Sequence, residues 1–169
     1  MPKPSPIRHL IVVLGDQLNP DSTAFTGFDP KQDRVWMAEV NEESTHIWSS
    51  KQRIALFISA MRHFAKELGD SKIPLSYIAF EDPSNSQSLD GELLKAIQAF
   101  QPQALIMTAP GDWRVLEKIK GVSKQTGAPL EIREDNYFFS TVREFAEHAK
   151  GRKQLRLEYW YRELRKKHS

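Results

Sequence analysis

Cysteine is absent from the 169 residues. Neither a disulfide nor a thiolate metal cluster can form within this chain. Long apolar runs are missing too. No segment is long enough to span a bilayer, and the start MPKPSPIRH lacks the apolar core of a signal peptide. Together these absences fit a cytoplasmic protein with no membrane partner. Charge of one sign is scarce: 24 Lys and Arg oppose 22 Asp and Glu, and a net charge of +2 does not by itself imply nucleic acid. Neither G-x-G-x-x-G after the first apolar run nor G-x-x-x-x-G-K-[ST] occurs, so no dinucleotide or P-loop phosphate site is signalled. There is no G-x-S-x-G elbow, the five histidines lack zinc-ligand spacing, and no internal repeat is visible. What remains is an ordinary globular composition, 40% hydrophobic and 27% charged, long enough for one domain with a real core.

The organising stretch is residues 7–18, IRHLIVVLGDQL. Its unbroken run Leu10, Ile11, Val12, Val13, Leu14 suits a strand buried on both faces in a parallel sheet. Gly15 then permits a tight turn, which puts Asp16 and Gln17 in the crevice at the strand's carboxyl edge. Open α/β sheets bind ligands there, at a switch in strand order. The plainer alternative is that Asp16 only stabilises a turn or caps a helix. A second strand, 34–40, ends in Glu39. If the two strands are parallel neighbours, Asp16 and Glu39 face each other across one crevice; otherwise Glu39 is a solvated strand end.

Along the chain, residues 1–6 read as a Pro-rich, mobile lead-in. The first strand covers 8–14. The loop 19–33 is long for a compact domain, hence functional or ordered by a ligand. A helix over 50–68 carries Ile54, Phe57, Ile58, Met61, Phe64, Ala65 and Leu68 as one buried stripe, and Gly69 stops it. Arg53, Arg62, His63, Lys66 and Glu67 lie off that stripe, wet or partly wet. Further strands are expected at 75–80, 104–108 and 130–133, with helices from Ser88 or Asp90 to Phe100, at 113–125 and near 141–150. This alternation predicts a doubly wound, five-stranded parallel sheet of Rossmann/flavodoxin-like type with helices on both faces. The flavodoxin-like order, with strand one central, is the one expected.

Residues 151–169 differ: Arg152, Lys153, Arg156, Arg162, Arg165, Lys166 and Lys167 surround an aromatic cluster. Leu157, Trp160, Tyr161 and Leu164 share one helical face. Their full burial would contribute at most roughly 6–10 kcal/mol. Such a helix docks on protein, including a second copy in a homodimer, or touches nucleic acid. The division expected is therefore an α/β domain over 1–150 and a basic aromatic helix over 151–169.

Several stretches, in register along the chain, carry a resemblance. Leu14-Gly15-Asp16-Gln17-Leu18, Ala38-Glu39-Val40 and Ser59-Ala60-Met61-Arg62-His63-Phe64-Ala65 resemble the N-terminal domain of the iron–sulfur bacterial cryptochromes and photolyases, also called photolyase-related proteins. Pro110-Gly111-Asp112-Trp113-Arg114 is similar to that family's Pro-Gly-Glu-Trp-Arg. Gly151-Arg152-Lys153 and the run from Glu158 to Arg165 resemble its Gly-Arg-Lys and Glu-x-Phe-Tyr-Arg-Glu-Met-Arg.

The resemblance implies the antenna half of a flavoprotein for light-dependent DNA repair or light sensing. This half would hold 6,7-dimethyl-8-ribityllumazine and be non-catalytic by itself. FAD, a cysteine-ligated [4Fe-4S] cluster and damaged DNA would belong to a helical C-terminal domain, its main partner, beginning where Ser169 falls. The chain would then be a piece of a longer protein or a stand-alone relative. Matching positions make Gly15, Asp16, Gln17, Leu18, Glu39 and Lys51 the expected chromophore contacts. Two departures lie near the expected pocket rim: Ser49-Ser50-Lys51 replaces His-His-Lys, and Ala109 stands where an acidic residue is common. A stand-alone small-molecule or nucleotide-binding module and a pure interaction domain are the alternatives.

Overall fold

The computed structural model describes residues 6–42 and 49–168, so all of the Pro-rich lead-in except Pro6, and Ser169 itself, lie outside the described residues. Five strands form one sheet: β1 (His9–Val12), β2 (Arg34–Ala38), β3 (Leu75–Ile78), β4 (Ala104–Thr108) and β5 (Leu130–Arg133). All four pairings are parallel. The strand order is β3-β2-β1-β4-β5, with β1 central as expected. This is the Rossmann order and not the flavodoxin-like one. The reason lies in β3, whose LSYI is only partly buried along its length. A flavodoxin-like order would enclose Ser76 and the Tyr77 hydroxyl between β1 and β4; here β3 is an edge.

Among the described residues three helices cover the sheet: α1 (Lys51–Asp70) on one face, α2 (Leu89–Phe100) and α3 (Trp113–Thr126) on the other. Alternate side chains along a strand point to opposite faces. Leu10, Val12, Trp36, Leu105 and Met107 therefore pack with Leu93 and Ile97 of α2 and Ile119 and Val122 of α3. Ile11, Val13, Val35, Met37 and Ile106 pack with Met61, Phe64 and Leu68 of α1.

Each of these three helices starts on a side-chain cap. Ser50 accepts from the Arg53 amide at 3.3 Å, Ser88 from Gly91 at 3.5 Å and Asp112 from Arg114 at 2.8 Å. The expected stop at Gly69 is corrected: α1 runs on through Asp70, Ser71 is its C-cap, and Lys72 takes the left-handed conformation at φ 57°. Among the described residues no helix is long and apolar enough to cross a membrane.

The loop 19–33 is ordered by protein groups. Ser22 and Thr108 hydroxyls meet at 2.6 Å. Arg133 Nη1 donates to the carbonyls of Thr23 (2.9 Å), Ala24 (3.3 Å) and Thr26 (2.8 Å). The buried Asp33 accepts from Arg8 Nε (2.9 Å), Arg8 Nη2 (2.5 Å) and the amides of His9 (3.1 Å) and Asp29 (2.8 Å). Burial pushes the Asp33 carboxyl up, but Arg8 and the Asp29 amide outweigh it and hold it below the usual range.

Residues from Glu134 onward group as a second compact unit. It contains α4 (Val142–Ala149) and α5 (Leu157–His168). Thr141 and Glu144 make a reciprocal capping box at the start of α4. Trp160 meets Phe145 edge-on at 5.8 Å and lies 4.8 Å from the His148 ring. His148 Nδ1 is 2.8 Å from Glu163. The expected apolar face of α5 divides: Trp160 and Leu164 are half-buried, while Leu157 and Tyr161 are 68% and 63% exposed.

Candidate functional site

The chain leaves β1 and β4 in opposite directions across the sheet, so a crevice opens at their carboxyl ends. A cavity of about 240 Å³ lies at this edge. Leu14, Gly15 and Asp16 border it beyond β1, Glu39 and Val40 beyond β2, and Phe80 beyond β3. Pro110, Asp112 and Val115 close the β4 side. Ser49 and the first turns of α1, with Arg53, Ile54, Phe57, Ile58 and Met61, form the remaining wall. This explains why the apolar stripe of α1 is fully buried only from Met61 onward: its N-terminal part faces the cavity, not the sheet.

Gly15 matters through space rather than backbone freedom. A Cβ there would sit 2.4 Å from Phe57 Cζ, 2.7 Å from Phe57 Cε1 and 2.8 Å from Met61 Sδ. Glycine lets α1 lie directly against the end of β1, which sets the cavity's width.

Glu39 is only 2% exposed, although it lies at a strand end. Its Oε1 accepts from Arg62 Nε at 2.7 Å and from the Tyr77 hydroxyl. Its Oε2 accepts from Arg62 Nη2 at 2.8 Å and from the Phe80 amide at 2.7 Å. Arg62 also reaches Glu81 at 2.7 Å, on the wet side. Burial pushes the Glu39 carboxyl up, but Arg62, Tyr77 and the Phe80 amide outweigh it and hold it below the usual range. Burial and the neighbouring carboxylate push the Tyr77 phenol well up, so it stays protonated and donates.

Of the six residues expected to contact a ligand, Gly15, Asp16 and Glu39 meet at the cavity. Asp16 is exposed at its mouth. The other three do not line it. The Gln17 amide donates to the carbonyls of Thr108 (3.3 Å) and Ala109 (3.0 Å), tying the ends of β1 and β4 together. Leu18 packs with the α1-side core, and Lys51 is exposed on the first turn of α1. Of the two departures at the rim, Ser49 lines the cavity, while Ala109 supplies main-chain hydrogen bonds to Gln17 and Arg133.

Sequence reasoning missed Arg62 and Tyr77. Arg62 follows a buried Met61 and faces an acidic strand end, and Tyr77 puts a hydroxyl on a half-buried edge; those were the available signals. Among the described residues no group of His, Asp and Glu can hold a metal ion.

Fold and crevice define a doubly wound parallel α/β domain of Rossmann order, with a ligand-sized cavity at the carboxyl edge of its sheet. The model of the deoxyribodipyrimidine photo-lyase-related protein family matches residues 11–169, and the chain belongs to that family. It is also 40% identical over 161 residues to a protein from Agrobacterium fabrum (strain C58 / ATCC 33970) described as a (6-4) photolyase. That match covers 95% of this chain but 32% of the relative, so the chain spans about a third of the relative's length.

Proposed function

We propose that this chain is the antenna-chromophore-binding domain of a photolyase- or cryptochrome-like flavoprotein, and that the cavity at Gly15, Asp16 and Phe57 holds 6,7-dimethyl-8-ribityllumazine. The observation that carries this reading is the position of the cavity at the sheet's carboxyl edge, in a chain of the photolyase-related family.

The residues present suit that group. Leu14, Val40, Ile54, Phe57, Ile58 and Val115 offer apolar walls for a flat ring. Asp16, Ser49, Arg53 and Asp112 offer acceptors and donors for ring-edge amides and ribityl hydroxyls. The volume of about 240 Å³ is below the ~300 Å³ at which small-molecule clefts usually begin, so it suits a ring whose hydroxylated chain reaches the polar rim. When bound, the chromophore absorbs short-wavelength light and passes excitation to a flavin held elsewhere. The protein's part is to fix it rigidly and exclude water, which needs no acid, base or nucleophile here.

On the same reading FAD, a [4Fe-4S] cluster and recognition of (6-4)-damaged DNA, or a light-sensing role in its place, belong to a helical domain of a longer protein. The exposed Leu157 and Tyr161 of α5 then dock on that domain, and the location is cytoplasmic. The threefold greater length of the relative supports this division.

Incubation with the lumazine followed by gel filtration tests the reading. One chromophore per chain should co-elute with a red-shifted absorption band. Elution of all the chromophore in the small-molecule volume would refute the antenna assignment. Stoichiometric FAD binding or light-dependent repair by these residues alone would refute the division of labour.

A further inference from the structure

We infer that Glu39, Arg62 and Tyr77 form a positioning network that fixes the cavity wall carried by Phe80 and α1, and that Glu39 does not itself accept a hydrogen bond from the ligand. This rests on the reading of the cavity as the chromophore site.

A carboxylate offers about four lone-pair positions. All four of Glu39 are taken within the protein, two on each oxygen, by Arg62 twice, Tyr77 and the Phe80 amide. Its side chain has no exposed surface. A ligand could bond to this carboxylate only by displacing one of these part-buried donors and giving up its charge-assisted hydrogen bond. The network instead ties three wall elements together. Arg62 brings in α1 next to the cavity residue Met61, Tyr77 brings in β3, and the amide bond sets the main chain at Phe80. The Asn85 amide reinforces this by bonding the carbonyls of Glu39 (2.7 Å) and Ala79 (2.9 Å). Arg62 and Tyr77 do not line the cavity themselves, so whatever they do to a ligand they do through Glu39 and the wall. Direct polar contact then falls to the other polar groups of the lining, among them the exposed Asp16.

Two variants outside the cavity separate positioning from direct contact. Tyr77→Phe removes one oxygen, and Arg62→Met removes the guanidinium but keeps the apolar stem. If Glu39 positions the wall, each variant raises the lumazine Kd about tenfold, in step with Glu39→Gln. The bound absorption band then moves back toward that of the free chromophore. The Phe80 amide, followed by NMR hydrogen exchange in the ligand-free protein, exchanges faster in all three. If Glu39 contacts the ligand, Glu39→Gln alone loses affinity while Tyr77→Phe and Arg62→Met keep it or tighten it, and the inference is overturned. Should Arg62→Met fail to fold, Tyr77→Phe decides. If the wild-type protein binds no lumazine, the antenna reading falls, and Phe80 exchange alone decides: an unchanged rate in Glu39→Gln overturns the network.

Discussion

Gly15→Ala adds one methyl group at the tightest contact of the cavity. Carbon pairs sit best at ~3.5–4.0 Å. The new Cβ would lie 2.4 Å from Phe57 Cζ, so the ring must retreat by about 1 Å or more. Overpacking of a core costs about 1–3 kcal/mol. Phe57 borders a cavity and has room to move, which puts the cost near 1 kcal/mol and the fall in Tm at about 2–4 °C for a chain of this size. The room it takes is the ligand's, so lumazine affinity should fall about tenfold or more, out of proportion to the small loss of stability. Differential scanning calorimetry and a lumazine titration measure the two effects separately. Gly15→Ala combined with Phe57→Leu should recover affinity, because the shorter side chain makes room for the methyl. A Gly15→Ala protein with wild-type Tm and wild-type affinity would refute the close-approach argument. Equal loss in the double variant would show that Gly15 acts through the backbone instead.

Asp16→Ala should abolish lumazine retention with little change in Tm, because Asp16 is exposed at the cavity mouth; gel filtration and calorimetry check both halves. Glu39→Ala should behave differently and destabilise by about 2 kcal/mol in urea unfolding, since it strands the part-buried Tyr77 hydroxyl and Phe80 amide that Glu39 satisfies. Acid sensitivity follows from the Glu39 and Asp33 carboxyls, both held below their usual range. Their stabilisation is complete above the unfolded values of about 4 and is lost as pH falls through the lower folded values. Tm should therefore hold from neutrality to about pH 5 and drop steeply below pH 4, less steeply in Glu39→Gln. Arg133→Ala should speed hydrogen exchange in residues 23–28, where it caps the carbonyls of Thr23, Ala24 and Thr26, and leave β1 protected.

Much of this fold was written locally. The β1 and β4 runs LIVV and ALIM announce strands buried on both faces, and β4 and β5 begin and end where the pattern put them. The stripe of α1 and the cap Ser88 are equally local. The strand order was legible too, in the polar middle of LSYI, but a pattern read for strand type alone did not weigh it. Gly69 misled because a glycine near a helix end signals a stop only when the chain turns left-handed there, and Lys72 makes that turn. Asp16 and Glu39 were found because each follows a strand. The partners of Glu39 were not, because Arg62 and Tyr77 lie 23 and 38 residues away and meet it only through the sheet order. In the same way the loop 19–33 looked in need of a ligand because Arg133, which orders it, is more than a hundred residues distant.

To serve as an antenna site, the cavity must hold a lumazine rigidly. Fluorescence anisotropy of 6,7-dimethyl-8-ribityllumazine, measured while the chain is added, tests that most directly. A rigidly held chromophore gives a rise to the value of a dye tumbling with the whole protein, saturation at one chromophore per chain, and loss of the effect in Gly15→Ala. Anisotropy that stays at the free-dye value in excess wild-type protein would contradict it.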